Sequence, residues 1–249
     1  MINFLEYIIS VVGNIILAIF VFTGVIIVGV IFLLVKENSK TKKHKGKYLD
    51  CLRQIFGQDM ESSFFVENCD SKSALIRFDN RANLGTYLYR TPNIKPEYIN
   101  QSKWHKITNE VYAFIDDHMN GSICSFCHNI SRTCFTGKMY LDKEEMRNSH
   151  FKKILVSQTG WNLPYDAYAI GYIDYSTRQL APEHIYFCLS ECNLEEIKNQ
   201  LDSLASTAEE WTKDGNSYHF SKSEDSGMRS ISIDYTLGDS FVEVVHFMS

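Results

Sequence analysis

Residues 7–35 contain no charged side chain, a run of 29 residues rich in Ile, Val, Leu and Phe. About 20 apolar residues cross the hydrocarbon core of a bilayer as a helix, rising about 1.5 Å per residue. The run is therefore long enough to cross, with tilt. A cleaved secretory signal has a basic start and a short apolar core. Here the start carries Glu6, and the run continues to Lys36. These features predict an N-terminal single transmembrane helix over 1–35.

The next segment, 36–47, holds six lysines and one glutamate. It reads as a juxtamembrane linker, or as an ordinary solvated hinge. Positive charge stays on the cytoplasmic side, and lysines beside a helix attract anionic headgroups. The lipid bilayer is the first expected partner. The expected location is the inner (plasma) membrane, single-pass, with the C-terminal domain cytoplasmic. Ser10, Asn14 and Ala18 recur every four residues and share one helix face. An amide in hydrocarbon needs a hydrogen-bond partner, so this stripe is the candidate for self-association. The competing reading places Asn14 in hydrated headgroups.

The remainder, 48–249, is expected to be one soluble domain. With the six linker lysines, Glu6 and Glu37 set aside, it holds 19 basic and 28 acidic residues, a net of −9. Broad nucleic-acid binding needs a basic face, and this balance disfavours it. No internal repeat is apparent.

Residues 48–57 read as a short helix. Residues 63–66, 73–78 and 86–89 read as strands between Asn-, Asp- and Gly-containing turns. Residues 108–118 read as a helix with Val111, Phe114 and Ile115 on one face. Strands are expected at 154–157, 168–175 and 185–189. Asn193 and Glu196 have the spacing of a capping-box relative. Leu194, Ile197, Leu201, Leu204, Ala208 and Trp211 then recur every three or four residues. Ile231, Ile233 and Tyr235 alternate with polar residues ahead of a turn, which predicts a hairpin with 241–247. The expected class is α+β, with a largely antiparallel sheet behind the transmembrane helix.

Seven cysteines draw attention to metal or redox chemistry. In a reducing compartment they are thiols or metal ligands rather than disulfides. Cys124-Ser125-Phe126-Cys127-His128 matches the short pattern that attaches c-type haem. That attachment would need the domain outside the cytosol, against the lysine flank. Zinc fits better, because a C-x-x-C pair supplies two thiolates to a tetrahedral site. Cys134 is the candidate third ligand, and His118 or His150 the fourth. Cys188 and Cys192 are the alternative pair. The competing reading is a set of unmetallated core thiols.

Asp116-Asp117-His118 reads as a polar helix end, or as a cation or acid–base cluster. Trp161, Tyr165, Tyr168, Tyr172 and Tyr175 read as core strand positions, or as the lining of a ligand pocket. Arg77, Arg81, Arg90 and Arg178 come without a glycine-rich phosphate loop. No hydrolase, metalloprotease, Walker or kinase signature is present. The expected function is a ligand- or protein-binding sensing module rather than an enzyme. Candidate versions are a defence or toxin-type membrane effector acting through clustered helices, and a toxin-immunity or regulatory protein. The reading from another class is a membrane-bound zinc or redox enzyme using the Cys124–Cys127 cluster.

Overall fold

The computed structural model describes residues 22–23, 26–30, 36, 41–56, 64–79, 103–119, 121–130, 134–174, 182–223 and 230–247. The chain divides into two compact units, 1–46 and 47–249. In the first, the described residues are helical, and Phe22, Ile26, Ile27, Val28 and Val30 are exposed. Among the described residues no helix is long and apolar enough to cross a membrane. The transmembrane helix expected over 1–35 is therefore not shown, and the single-pass membrane class drawn from it is corrected. An uncharged run is a signal of composition, whereas a span needs about 20 consecutive helical residues. The longest described helical stretch within 1–35 is 26–30. The stripe Ser10, Asn14 and Ala18 lies outside the described residues.

The expected α+β class is also corrected, to a mostly antiparallel sheet with few helices. A helix, α1 (41–56), leads into β1 (Phe64–Glu67), β2 (Ser73–Asp79), β3 (Trp104–Lys106), β4 (Val111–Met119), β5 (Ser122–Asn129) and β6 (Cys134–Tyr140). Two helices follow, α2 (Lys143–Arg147) and α3 (His150–Thr159). Then come β7 (Tyr168–Asp174), β8 (Glu183–Cys188), α4 (Leu194–Thr207), β9 (Trp211–Asp214), β10 (Ser217–Ser223), β11 (Ser230–Thr236) and β12 (Phe241–Phe247). Every strand pairing is antiparallel. The main path runs β3-β4-β5-β6-β7-β8-β12-β11-β10-β9, with β2 also on β6 and β1 on β2.

Two segments changed type, each for a physical reason. The helix expected over 108–118 is strand β4. Val111, Ala113 and Phe114 are all buried, because β4 is covered on both faces. Burial of both faces blurs the alternation that marks a strand. The strand expected at 154–157 belongs to helix α3. Ser149 caps its start by accepting from the Phe151 amide, and Gly160 ends it in the left-handed region at φ 73°. Caps at both ends and burial of Leu155 outweigh the β preference of Ile154 and Val156. The strand expected at 86–89 lies outside the described residues.

Helix α1 buries Tyr48, Cys51, Leu52, Ile55 and Phe56, one stripe at helical spacing. Its last ring, Phe56, lies 4.9 Å from Phe64, 5.8 Å from Trp104, 6.2 Å from Phe126 and 5.1 Å from His128. The same buried cluster continues around Trp161, which lies 5.9 Å from Trp211 and 5.6 Å from Tyr235. Trp211 is itself 5.0 Å from Phe220. The sheet divides at β6. One edge of β6 pairs with β2 from Tyr140 to Cys134. Its other edge is divided: β5 takes Tyr140 and Met139, and β7 takes Gly137 and Thr136.

Glycine makes the junction possible. A Cβ on Gly137 would lie 3.1 Å from the Phe126 ring and 3.3 Å from the Tyr172 carbonyl oxygen. A Cβ on Gly171 would lie 2.9 Å from Cys127 Sγ and 3.2 Å from the Cys127 amide nitrogen. Overpacking of this kind costs about 1–3 kcal/mol. Gly171→Ala is therefore expected to destabilise the protein by about that amount in urea unfolding. Cys127→Ala should recover part of the loss, because one of the two close atoms is the thiol. Strict additivity in the double variant would show that the strands do not meet there.

Candidate functional site

Strand β5 is buried from Ile123 to Asn129. Alternate side chains leave a strand on opposite faces. Phe126 and His128 face α1, where Phe56 packs on both rings. Ser125 and Cys127 face the other way: the Ser125 hydroxyl contacts Met146 Sδ of α2 at 3.6 Å, and Cys127 meets Gly171 of β7. This second face of β5 and the facing strands β7, β8 and β12 form a seam.

The polar groups of the seam come from β8 and β12. Glu243 pairs directly with Tyr186. One carboxylate oxygen, Oε1, accepts from the Tyr186 hydroxyl at 2.9 Å and from His184 Nδ1 at 2.7 Å. Tyr186 is fully buried, whereas the side chains of His184 and Glu243 remain 21% and 30% exposed. The pair is thus reached from solvent and anchored from within. Phe241, two residues before Glu243 on β12, lies 5.7 Å from the His105 ring of β3. Burial, and then the nearby Glu243 charge, push the Cys127 thiol well above the ordinary cysteine range.

A carboxylate on Nδ1 fixes the orientation of the imidazole ring. The tyrosine hydroxyl holds the carboxylate in turn. Such an assembly can receive N–H donors or relay a proton. It lacks an activated nucleophile, since thiolate chemistry requires a lowered cysteine pKa and Cys127 is shifted the other way.

Among the described side chains, those expected to bind metal are not brought together. Cys124 and Cys127 are three apart on a strand and leave on opposite faces. A C-x-x-C pair chelates from a turn; here β5 is too regular for it. His118 is exposed on β4, and Cys134 is the first residue of β6. His150 opens helix α3. Among the described residues no group of three or more His, Cys, Asp or Glu side chains is placed to hold a metal ion. Cys188 is buried and 3.1 Å from the Ser190 hydroxyl. Burial pushes the Cys192 thiol up to about 11. No disulfide joins Cys51, Cys69, Cys124, Cys127, Cys188 or Cys192.

Asp116 is buried on β4 rather than at a helix end. Burial alone would raise its carboxyl, but the Lys103 ammonium at 2.5 Å and the His118 amide at 3.0 Å hold it below the usual range. Of the aromatic stretch, Trp161 and Tyr168 are buried and Tyr165 is 64% exposed, with the Arg147 guanidinium 5.2 Å from its ring. Tyr175 lies outside the described residues. Arg77 stacks on Phe65 at 4.5 Å and pairs with Glu67 at 2.9 Å. Arg81, Arg90 and Arg178 lie outside the described residues.

The sequence reading passed over His184, Tyr186 and Glu243. Their signal was faint: His184 and Tyr186 are two apart and so share a strand face, and Glu243 interrupts a valine run. The register that places Glu243 opposite Tyr186 is a tertiary fact that alternation alone does not supply. Comparison with protein-family models, with curated proteins and with solved structures returns no match.

His128, the last residue of the haem-like pattern, is fully buried between Phe56 and Phe78, with ring centroids 5.1 Å from each. Burial pulls its pKa down to about 3, from about 6.5 in an unfolded chain. Its neutral form is therefore the folded form. Stability attributable to this residue is complete above pH 6.5 and falls as the pH drops toward 3, because the unfolded chain takes up the proton first. The expected slope is about 1.4 kcal/mol per pH unit in that window. Urea unfolding across pH 3.5–7 should show a slope shallower by that amount in His128→Leu. Parallel pH profiles would place the imidazole in water.

Proposed function

We propose that residues 47–249 form a non-catalytic binding module that takes a small ligand rich in N–H donors at the seam. The observation that carries this reading is the His184–Tyr186–Glu243 assembly, in which a carboxylate is oriented by two donors and stays partly open to solvent. A carboxylate accepts paired N–H donors well, and charged hydrogen bonds are about twice as strong as neutral ones. The net charge of −9 over 48–249 favours a cationic or N–H-bearing ligand over an anionic one. The His105 and Phe241 rings beside Glu243 supply planar apolar surface. The buried, protonated thiol of Cys127 supports binding over covalent chemistry.

Arginine and guanosine are suitable probes, since each offers N–H donors to the second carboxylate oxygen of Glu243, Oε1 being held by His184 and Tyr186. Saturation at ten times Kd stabilises a folded protein by about 1.4 kcal/mol, or about 3–6 °C in a chain of this size. The purified full-length chain should show that rise with at least one probe, together with a shift of the His184 ring resonances. Glu243→Gln should abolish both. Silence toward both probes, or an undiminished response in Glu243→Gln, would rule the reading out.

A further inference from the structure

The strands divide into two sets of six. In chain order, β1 to β6 lie side by side as first-second-sixth-fifth-fourth-third. Strands β7 to β12 lie side by side in the same order. Each set follows a helix, with eight residues from Phe56 of α1 to Phe64 and nine from Thr159 of α3 to Tyr168. The register agrees as well as the order. In the first set one cross-strand row runs Trp104–Phe114–Phe126–Met139–Ala74. In the second the row runs Trp211–Phe220–Ile233–Val244–Ile185. All ten residues are at most 7% exposed.

The two third-to-fourth hairpins also agree in sequence. Trp104-His105-Lys106 answers Trp211-Thr212-Lys213, and Tyr112-Ala113-Phe114 answers Tyr218-His219-Phe220. Trp104 pairs with Phe114 and Lys106 with Tyr112; Trp211 pairs with Phe220 and Lys213 with Tyr218. The ring pairs lie 5.4 and 5.0 Å apart. The preceding helix ends on the tryptophan in both halves. Phe56 packs on Trp104 at 5.8 Å, and the Thr159 carbonyl accepts from Trp211 Nε1 at 2.8 Å.

We infer that residues 47–140 and 150–249 are two copies of one helix-plus-six-strand module, the second carrying α4 between its second and third strands, and that the module's partner surface fits a second copy of itself. Each copy presents its tryptophan row to its own helix. The two meet through the opposite faces, where Cys127 abuts Gly171. The copies have diverged at the seam. His184, Tyr186 and Glu243 of the second correspond, through the matched rows, to Ser73, Leu75 and Lys138 of the first. The ligand-facing cluster thus belongs to one copy, and the other serves as its wall.

The test is a hairpin graft in the full-length chain. Replacing 211–220 by the sequence of 104–114 aligns tryptophan with tryptophan and phenylalanine with phenylalanine. A control graft of 105–115 shifts every side chain to the other face. The in-register graft should unfold cooperatively, with near-UV circular dichroism like the parent's, and the shifted graft should not. Equal behaviour of the two grafts, whether both fold or both fail, would overturn the inference.

Discussion

Strand β6 has more neighbours than edges. Its two edges serve three strands, because β5 and β7 divide one of them. A sheet cannot be shared in this way while it stays flat, so β5 leaves β6 beyond Met139 and β7 enters beside Gly137. The absence of a Cβ at Gly137 and Gly171 is what allows three backbones to approach so closely. The seam, and the polar cluster within it, descend from that division.

The seam is also why the cysteine pattern misleads. Read as a motif, Cys124 and Cys127 imply a loop that wraps an ion. In the fold they occupy an extended strand covered on both faces, and the two thiols leave on opposite faces. A hydrogen bond with Cys51 and then burial raise the Cys124 thiol, and burial raises that of Cys127, so they are poor nucleophiles where they stand. On its seam face β5 uses the small side chains of Ser125 and Cys127, because Gly171 lies close there, and cysteine fills such places well.

Legibility in the sequence followed physical locality. Helix α4 was readable as far as Thr207 because its signals are local: Asn193 accepts from the Glu195 and Glu196 amides, and Ile197 and Leu201 share a buried face, whereas Ala208 and Trp211 of the same stripe are its cap and the first residue of β9. The closing hairpin was readable because β11 has one covered and one open face. Strand β4 was not, since covering both faces erased its alternation. The duplication escaped for a related reason. Its halves share register and burial more than residue identity, and few letters match beyond Trp, Lys, Tyr and Phe of one hairpin. Glu243, His184 and Tyr186 belong to different strands, and a pairing over 57 residues is set by topology rather than by neighbouring sequence.

Covering both faces of β5 also sets the order in which the molecule opens. Amides near a surface exchange with solvent through local fraying, whereas amides enclosed on every side wait for global unfolding. From Ile123 to Asn129 no side chain is exposed. The strand carrying the cysteines therefore acts as the slowest clock in the protein, and its amide exchange reports the free energy of the whole unit rather than of any part.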